Sequence, residues 1–132
     1  MTARRLGVVL GVLAVLWAAA IYWTSSRPSP FAFLPRGIFS HDKLLHAAAY
    51  AILGGLVLGA IFAARRPGLR GVLLAAALAT VYGATDELHQ SKVPNRDADL
   101  ADLAADAAGA VAGACAAAVI LRRRGARASI RD

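Results

Sequence analysis

The sequence is short of the residues from which most local active-site motifs are built. It has one cysteine, Cys115, so it forms no internal disulfide and lacks the second thiol of a CxxC redox or zinc motif. It contains no HExxH helix motif, no DxDxD run, no serine on a glycine elbow and no Gly-rich loop to cradle a phosphate. On that basis no metal and no cofactor is expected, although two or three carboxylates with His46 could hold a divalent cation through oxygen ligands. Acid is scarce as well: eight Asp and Glu stand against fifteen Lys and Arg, for a net charge of +7. Aromatics make up only 7% of the residues, and the basic residues are not interleaved with them. A nucleic-acid face is therefore not expected. The arginines instead flank long apolar blocks, and Cys115 falls inside one of them, where it reads as a buried small hydrophobe.

Those blocks are what the chain has in abundance. Hydrophobic residues reach 58%, above the globular average of about 45–50%. They are grouped in stretches near the ~20 residues that a helix needs to cross hydrocarbon. Four spans are predicted, at about 6–23, 43–64, 70–90 and 100–121, with a disordered basic tail over 122–132. The first follows Arg4 and Arg5 and ends near Trp17, Tyr22 and Trp23, which read as an aromatic belt. It exceeds the about 7–15 residues of a signal-peptide core, so an uncleaved helix is expected. Residues 24–41 hold serines and prolines and read as a loop along the membrane surface. The reading is thus one domain over 1–132, an all-α four-helix transmembrane bundle.

Charge sets its orientation. Ten Lys and Arg fall in the amino terminus, the second loop and the tail. Five fall on the other side: Arg27, Arg36, Lys43, Lys92 and Arg96. The positive-inside rule places both termini in the cytoplasm. Seven of the eight acidic residues then face outward, and only Asp132 does not.

The acid is also concentrated. Six of the eight carboxylates lie within Thr85–Asp106: Asp86, Glu87, Asp97, Asp99, Asp102 and Asp106. A charge at the centre of a membrane helix costs about 2.5–3.5 kcal/mol on insertion scales, so these groups need partners or a task. Three helical faces carry the candidates. Asp42, His46 and Tyr50 step by four, with Lys43 beside them. Tyr82, Asp86 and Gln90 do the same, with Glu87 and Gly83 on the adjoining row. Asp99, Asp102, Asp106, Gly109 and Gly113 form a continuous stripe. Asp106 lies about 10 Å below Asp99 at the helical rise of 1.5 Å per residue, the deepest carboxylate of the set. Gly109 and Gly113, like Gly55 and Gly59, are spaced to admit a neighbouring backbone.

In this order the residues resemble the VanZ-like family of small bacterial membrane proteins. The resemblance covers about 42–113. It rests on Asp42-Lys43 with His46 and Tyr50, on Asp86-Glu87 with Gln90, on Val93-Pro94-Asn95-Arg96, and on Asp102, Asp106 and Gly109. Asn95 stands where the family often has Gly, and Asp106 where many members have Asn. The resemblance implies a multi-pass protein of the bacterial cytoplasmic membrane. The family's namesake is associated with resistance to glycopeptide antibiotics of the teicoplanin type.

The residues expected to form a binding site are Asp42, Lys43, His46, Tyr50, Asp86, Glu87, Gln90, Arg96, Asp102 and Asp106, with His46 and Asp86 as acid/base candidates. The same residues admit plainer roles. Asp42 suits a helix cap, and Asp97 and Asp99 suit a helix start near the positive dipole end. His41 and His89 read as solvated interfacial histidines, and Asp102 and Asp106 as a buried polar network. Of Asp86 and Glu87, about 100° apart on a helix, one should serve the site and the other the surface. Asp86 and Asp102 are expected to meet across the third turn or be bridged by Arg96. Three functions are open: binding of a membrane lipid, lipid-linked wall precursor or glycopeptide; an enzyme acting on an anionic lipid-linked substrate; or a structural subunit.

Overall fold

A computed structural model of the chain describes residues 2–28, 42–63, 65 and 67–128. Most of the expected surface loop, including His41, lies outside the described residues, as does the side chain of Asp42. Among the described residues the regular elements are four helices: α1 Ala3–Ser25, α2 Asp42–Phe62, α3 Leu69–Gln90 and α4 Leu100–Ala128. All four are long and apolar enough to cross a membrane.

Local chemistry explains the ends. Thr2 caps α1, its hydroxyl accepting from the Arg5 N–H at 3.3 Å. At the other end α1 runs past its expected limit through Ser25. The Thr24, Ser25 and Ser26 hydroxyls lie 2.8, 2.8 and 2.6 Å from carbonyls of the preceding turn, Ile21, Ile21 and Tyr22. Residues that break helices in water thus continue this one in an apolar setting. Pro67 and Gly68 separate α2 from α3. Between α3 and α4 the chain turns through Asn95, whose φ of 61° is the left-handed conformation that Asn tolerates. Asp99 then starts α4, its Oδ1 accepting from the Ala101 N–H at 2.8 Å.

The helices run alternately up and down, which makes α2 and α4 parallel to each other. These two form the closest pair. A Cβ added at Gly109 or Gly113 would run into the Ala47 or Ala51 carbonyl, and one at Gly54 into the Ala110 backbone. The expected Gly55–Gly59 pair does not act as one stripe. Gly55 faces Gly113 of α4, whereas Gly59 faces the Leu10 side chain of α1. Gly54 makes the tighter contact with α4, because the α2 face toward α4 runs through Ala47, Ala51 and Gly54. α3 covers the α2–α4 pair with Ala75, Ala76 and Ala79, all buried. α1 packs on α2 and lightly on α3. It is fixed there by Trp17 Nε1 donating to the Ala49 carbonyl at 2.8 Å and Tyr82 OH donating to the Ala18 carbonyl at 2.7 Å. Trp17 therefore leaves the expected aromatic belt, while Tyr22 and Trp23 stay exposed.

Two further expectations change. Cys115 is exposed. The buried stripe of α4 runs through Asp106, Ala110, Ala114 and Ala118, so position 115 is turned about 100° away from it, toward lipid. The basic tail is not disordered from 122: α4 continues to Ala128. Arginine is a good helix former and suits a helix C-terminus electrostatically. Arg122 Nε also donates to the Pro67 carbonyl at 3.0 Å.

Candidate functional site at the polar end of the bundle

The end of α1, the start of α2, the end of α3 and the start of α4 meet at one end of the bundle, and the buried carboxylates are there. They sort into two clusters, because Asp86 and Glu87 leave α3 in different directions. Both are buried, at 3% and 6% exposure, so neither serves the surface as expected.

Asp86 turns toward α1. Its Oδ1 lies 2.5 Å from the Ser25 hydroxyl, and its Oδ2 accepts from Gln90 Nε2 at 2.9 Å. Arg96 Nη1 reaches Gln90 Oε1 at 3.4 Å and its Nε faces the Arg27 carbonyl at the same distance. His89 is half-buried beside this cluster, with Nε2 3.0 Å from the Ser26 hydroxyl and its ring 4.5 Å from that of Tyr22.

Glu87 turns toward α4, where its Oε2 accepts from the Asp99 N–H at 2.9 Å. Lys43 of α2 donates to Asp99 Oδ2 at 2.9 Å and to Asp102 Oδ1 at 2.8 Å. The Ala101 N–H and then the Lys43 ammonium hold the Asp99 carboxyl below the usual aspartate range. One turn deeper, His46 Nδ1 lies 3.0 Å from Asp106 Oδ1, and its Nε2 lies 3.9 Å from Asp102 Oδ2. Tyr50 and Asp106 are almost fully enclosed, at 1% and 0% exposure. Three enclosed oxygens in this second cluster have no hydrogen-bond partner among the described residues: Tyr50 OH, Glu87 Oε1 and Asp106 Oδ2.

The family can now be placed. A profile of the VanZ/LLP1 family matches residues 8–122. The chain belongs to that family. Comparison with curated proteins and with solved structures returned no significant match. Family membership and the four spanning helices make this a multi-pass membrane protein.

In this VanZ-like protein the residues that carry the resemblance converge, but not all on one point. Lys43, His46, Tyr50, Glu87, Asp102 and Asp106 gather between α2, α3 and α4. Asp86, Gln90 and Arg96 form the neighbouring cluster against α1. Asp86 and Asp102 do not share the contact expected of them: Asp102 pairs with Lys43, Asp86 with Ser25 and Gln90, and Arg96 bridges Gln90 to the α1 end. Ser25 was missed. Its signal was the Thr24-Ser25-Ser26 run, which reads as a helix breaker until a buried partner is known. Chemically, the second cluster offers a histidine held by a carboxylate, the geometry of a general base. The nitrogen and carboxylate atoms of His46, Glu87 and Asp106 also lie within 4.8 Å of one another. Those three residues come from three helices, so no local motif could have announced them.

Proposed function

We propose that this VanZ-like protein binds the headgroup of an amphipathic cell-envelope molecule at its polar end, on the outer face of the bacterial cytoplasmic membrane. A membrane lipid, a lipid-linked wall precursor or a glycopeptide are the candidate ligands. The observation that carries the reading is the trio of enclosed oxygens on Tyr50, Glu87 and Asp106 that have no partner among the described residues. Buried polar atoms without partners are costly, about 1–3 kcal/mol each, and a cluster kept only for helix packing would have no reason to hold three together. Lys43, its side chain 55% exposed, sits at the rim, within reach of a phosphate or carboxylate.

A second reading has one specific support. His46 beside Asp106 is oriented as a general base would be, which favours an enzyme acting on an anionic lipid-linked substrate.

Lipid mass spectrometry and glycopeptide susceptibility of cells with and without the protein test both readings. The expected result is a change in one of them that His46→Ala and Asp106→Asn abolish while the protein still accumulates in the membrane. Interhelical polar contacts in membranes average only about 0.6 kcal/mol, so either variant should insert and fold. A new cleaved or modified lipid selects the enzyme. Unchanged lipids with altered susceptibility select binding. No change in either, or full activity in both variants, refutes the site.

A further inference from the structure

We propose that His46, Glu87 and Asp106 bind one divalent transition-metal ion, Mn²⁺ or Zn²⁺, in the wedge between α2, α3 and α4. The inference draws on the same enclosed oxygens as the headgroup reading, but its test needs no headgroup.

Each helix contributes one ligand, and the three donor atoms lie within 4.8 Å of one another. A metal with bonds of about 2.0–2.2 Å holds neighbouring donors about 3–4 Å apart. Small side-chain rotations therefore close the set without moving a helix. The oxygens that would take part are those the protein leaves unpartnered. Glu87 Oε1 and Asp106 Oδ2 are both enclosed and without a hydrogen bond among the described residues. Glu87 Oε2 is held by the Asp99 N–H, and His46 Nδ1, 3.0 Å from Asp106 Oδ1, would exchange that contact for the ion. Tyr50 OH is the third such atom, and the Tyr50 ring and Asp106 Oδ2 both lie against Gly83. Gly83 lets Asp106 and Tyr50 approach α3 closely. A Cβ there would lie 3.0 Å from Asp106 Oδ2 and 3.2 Å from Tyr50 Cε1.

The surroundings fit as well. A ligating histidine normally directs its other ring nitrogen at a carboxylate or carbonyl, which fixes its orientation. With Nδ1 turned to the ion, His46 Nε2 faces Asp102 Oδ2, 3.9 Å away, and Asp102 is in turn held by Lys43 at 2.8 Å. Two carboxylates and a neutral imidazole match the charge of a divalent ion. A mixed nitrogen and oxygen set without sulfur suits Mn²⁺ or Zn²⁺. Ca²⁺ prefers six or more oxygens, and Mg²⁺ oxygen ligands in strict octahedral geometry.

The test uses the purified full chain in detergent micelles with no added lipid, stripped with chelator and equilibrated with MnCl₂ or ZnCl₂. Bound metal is counted by mass spectrometry after gel filtration. Pulsed electron paramagnetic resonance on the Mn²⁺ sample then looks for coupling to nitrogen. The expected result is one ion per chain with coupling to a single imidazole nitrogen. Glu87→Gln and Asp106→Asn should each abolish stoichiometric binding. Asp102→Asn should weaken it by about 10–100-fold, as loss of an outer-shell partner does. The inference is overturned if the wild-type chain retains neither metal, if bound Mn²⁺ shows no nitrogen coupling, or if the Glu87→Gln/Asp106→Asn double variant binds as wild type does. The wild-type measurements decide the question even where a variant fails to fold. Metal binding without any lipid or antibiotic phenotype would leave this site standing and remove the headgroup reading.

Discussion

Replacing Gly113 by alanine should force α2 and α4 apart. A Cβ at this position points into the Ala51 carbonyl, and the next atoms in its way, Ala51 C at 2.5 Å and Cα at 2.8 Å, are backbone too. No side-chain rotation relieves such a clash, so the helices must separate by roughly an ångström to restore ordinary contact. A gap of about 0.5–1 Å already forfeits a quarter to a half of each dispersion contact along the seam. Overpacking of this kind costs about 1–3 kcal/mol, and a backbone obstacle belongs at the upper end. Alanine's better helix propensity returns about 1 kcal/mol at most. The net expectation is a loss of about 2 kcal/mol, and more for Gly109→Ala/Gly113→Ala together.

The same displacement should reach the polar end, because Lys43–Asp102 and His46–Asp106 span these two helices. Thermal unfolding in detergent measures the stability term. Gly59→Ala is the control, since the atom in its way is the far end of the flexible Leu10 side chain, and Gly68→Ala, which meets nothing within 4 Å, is the blank. The order of destabilisation should be Gly113, then Gly59, then Gly68. A Gly113→Ala protein that melts with the wild type would refute the α2–α4 seam as the central contact of the bundle.

Two shorter predictions follow from charge. Asp99 titrates below its ordinary value of 3.8 in the folded chain, so its contribution to stability is fully present above that pH and is lost as pH falls through the lower folded value. Asp99→Asn should therefore lower the melting temperature slightly at neutral pH, where the contribution is present, and converge with the wild type in acid, which flattens the acid limb; an unaltered profile would show that the Lys43–Asp99 clamp contributes nothing. For orientation, a reporter fused after Arg131 should read as cytoplasmic and one inserted at Asn95 as external. A cytoplasmic Asn95 reporter would move the polar end to the inner face.

The spans were legible because hydrocarbon thickness fixes both the length and the polarity of a crossing helix, and no tertiary detail is needed to see it. The α4 stripe from Asp102 through Asp106 to Gly109 and Gly113 was legible because helical spacing alone puts those residues on one face. What could not be read was which neighbour a face would meet. Gly59 met α1 and Gly55 met α4, although both belong to one sequence pattern. Ser25 and Asp86 are 61 residues apart in sequence, and nothing local links them. Cys115 follows a buried residue by one position, and one position on a helix is enough to change core into lipid face.

The split between Asp86 and Glu87 decides how the two clusters divide their work. Both oxygens of Asp86 are engaged, one by Ser25 of α1 and the other by Gln90 of its own helix. Such a carboxylate has little hydrogen-bonding capacity left for a ligand, and its geometry is that of a staple holding α1 to α3. Among the described residues, Glu87 has one oxygen held by the start of α4 and the other unpartnered, and Asp106 repeats the arrangement, with one oxygen on His46 and one unpartnered. Half-held carboxylates are oriented by the first bond and available through the second, which is what a binding site requires. Of the two acid/base candidates read from sequence, His46 therefore belongs with the half-held pair. Asp86 fixes α1 against α3, beside the helices that hold that pair.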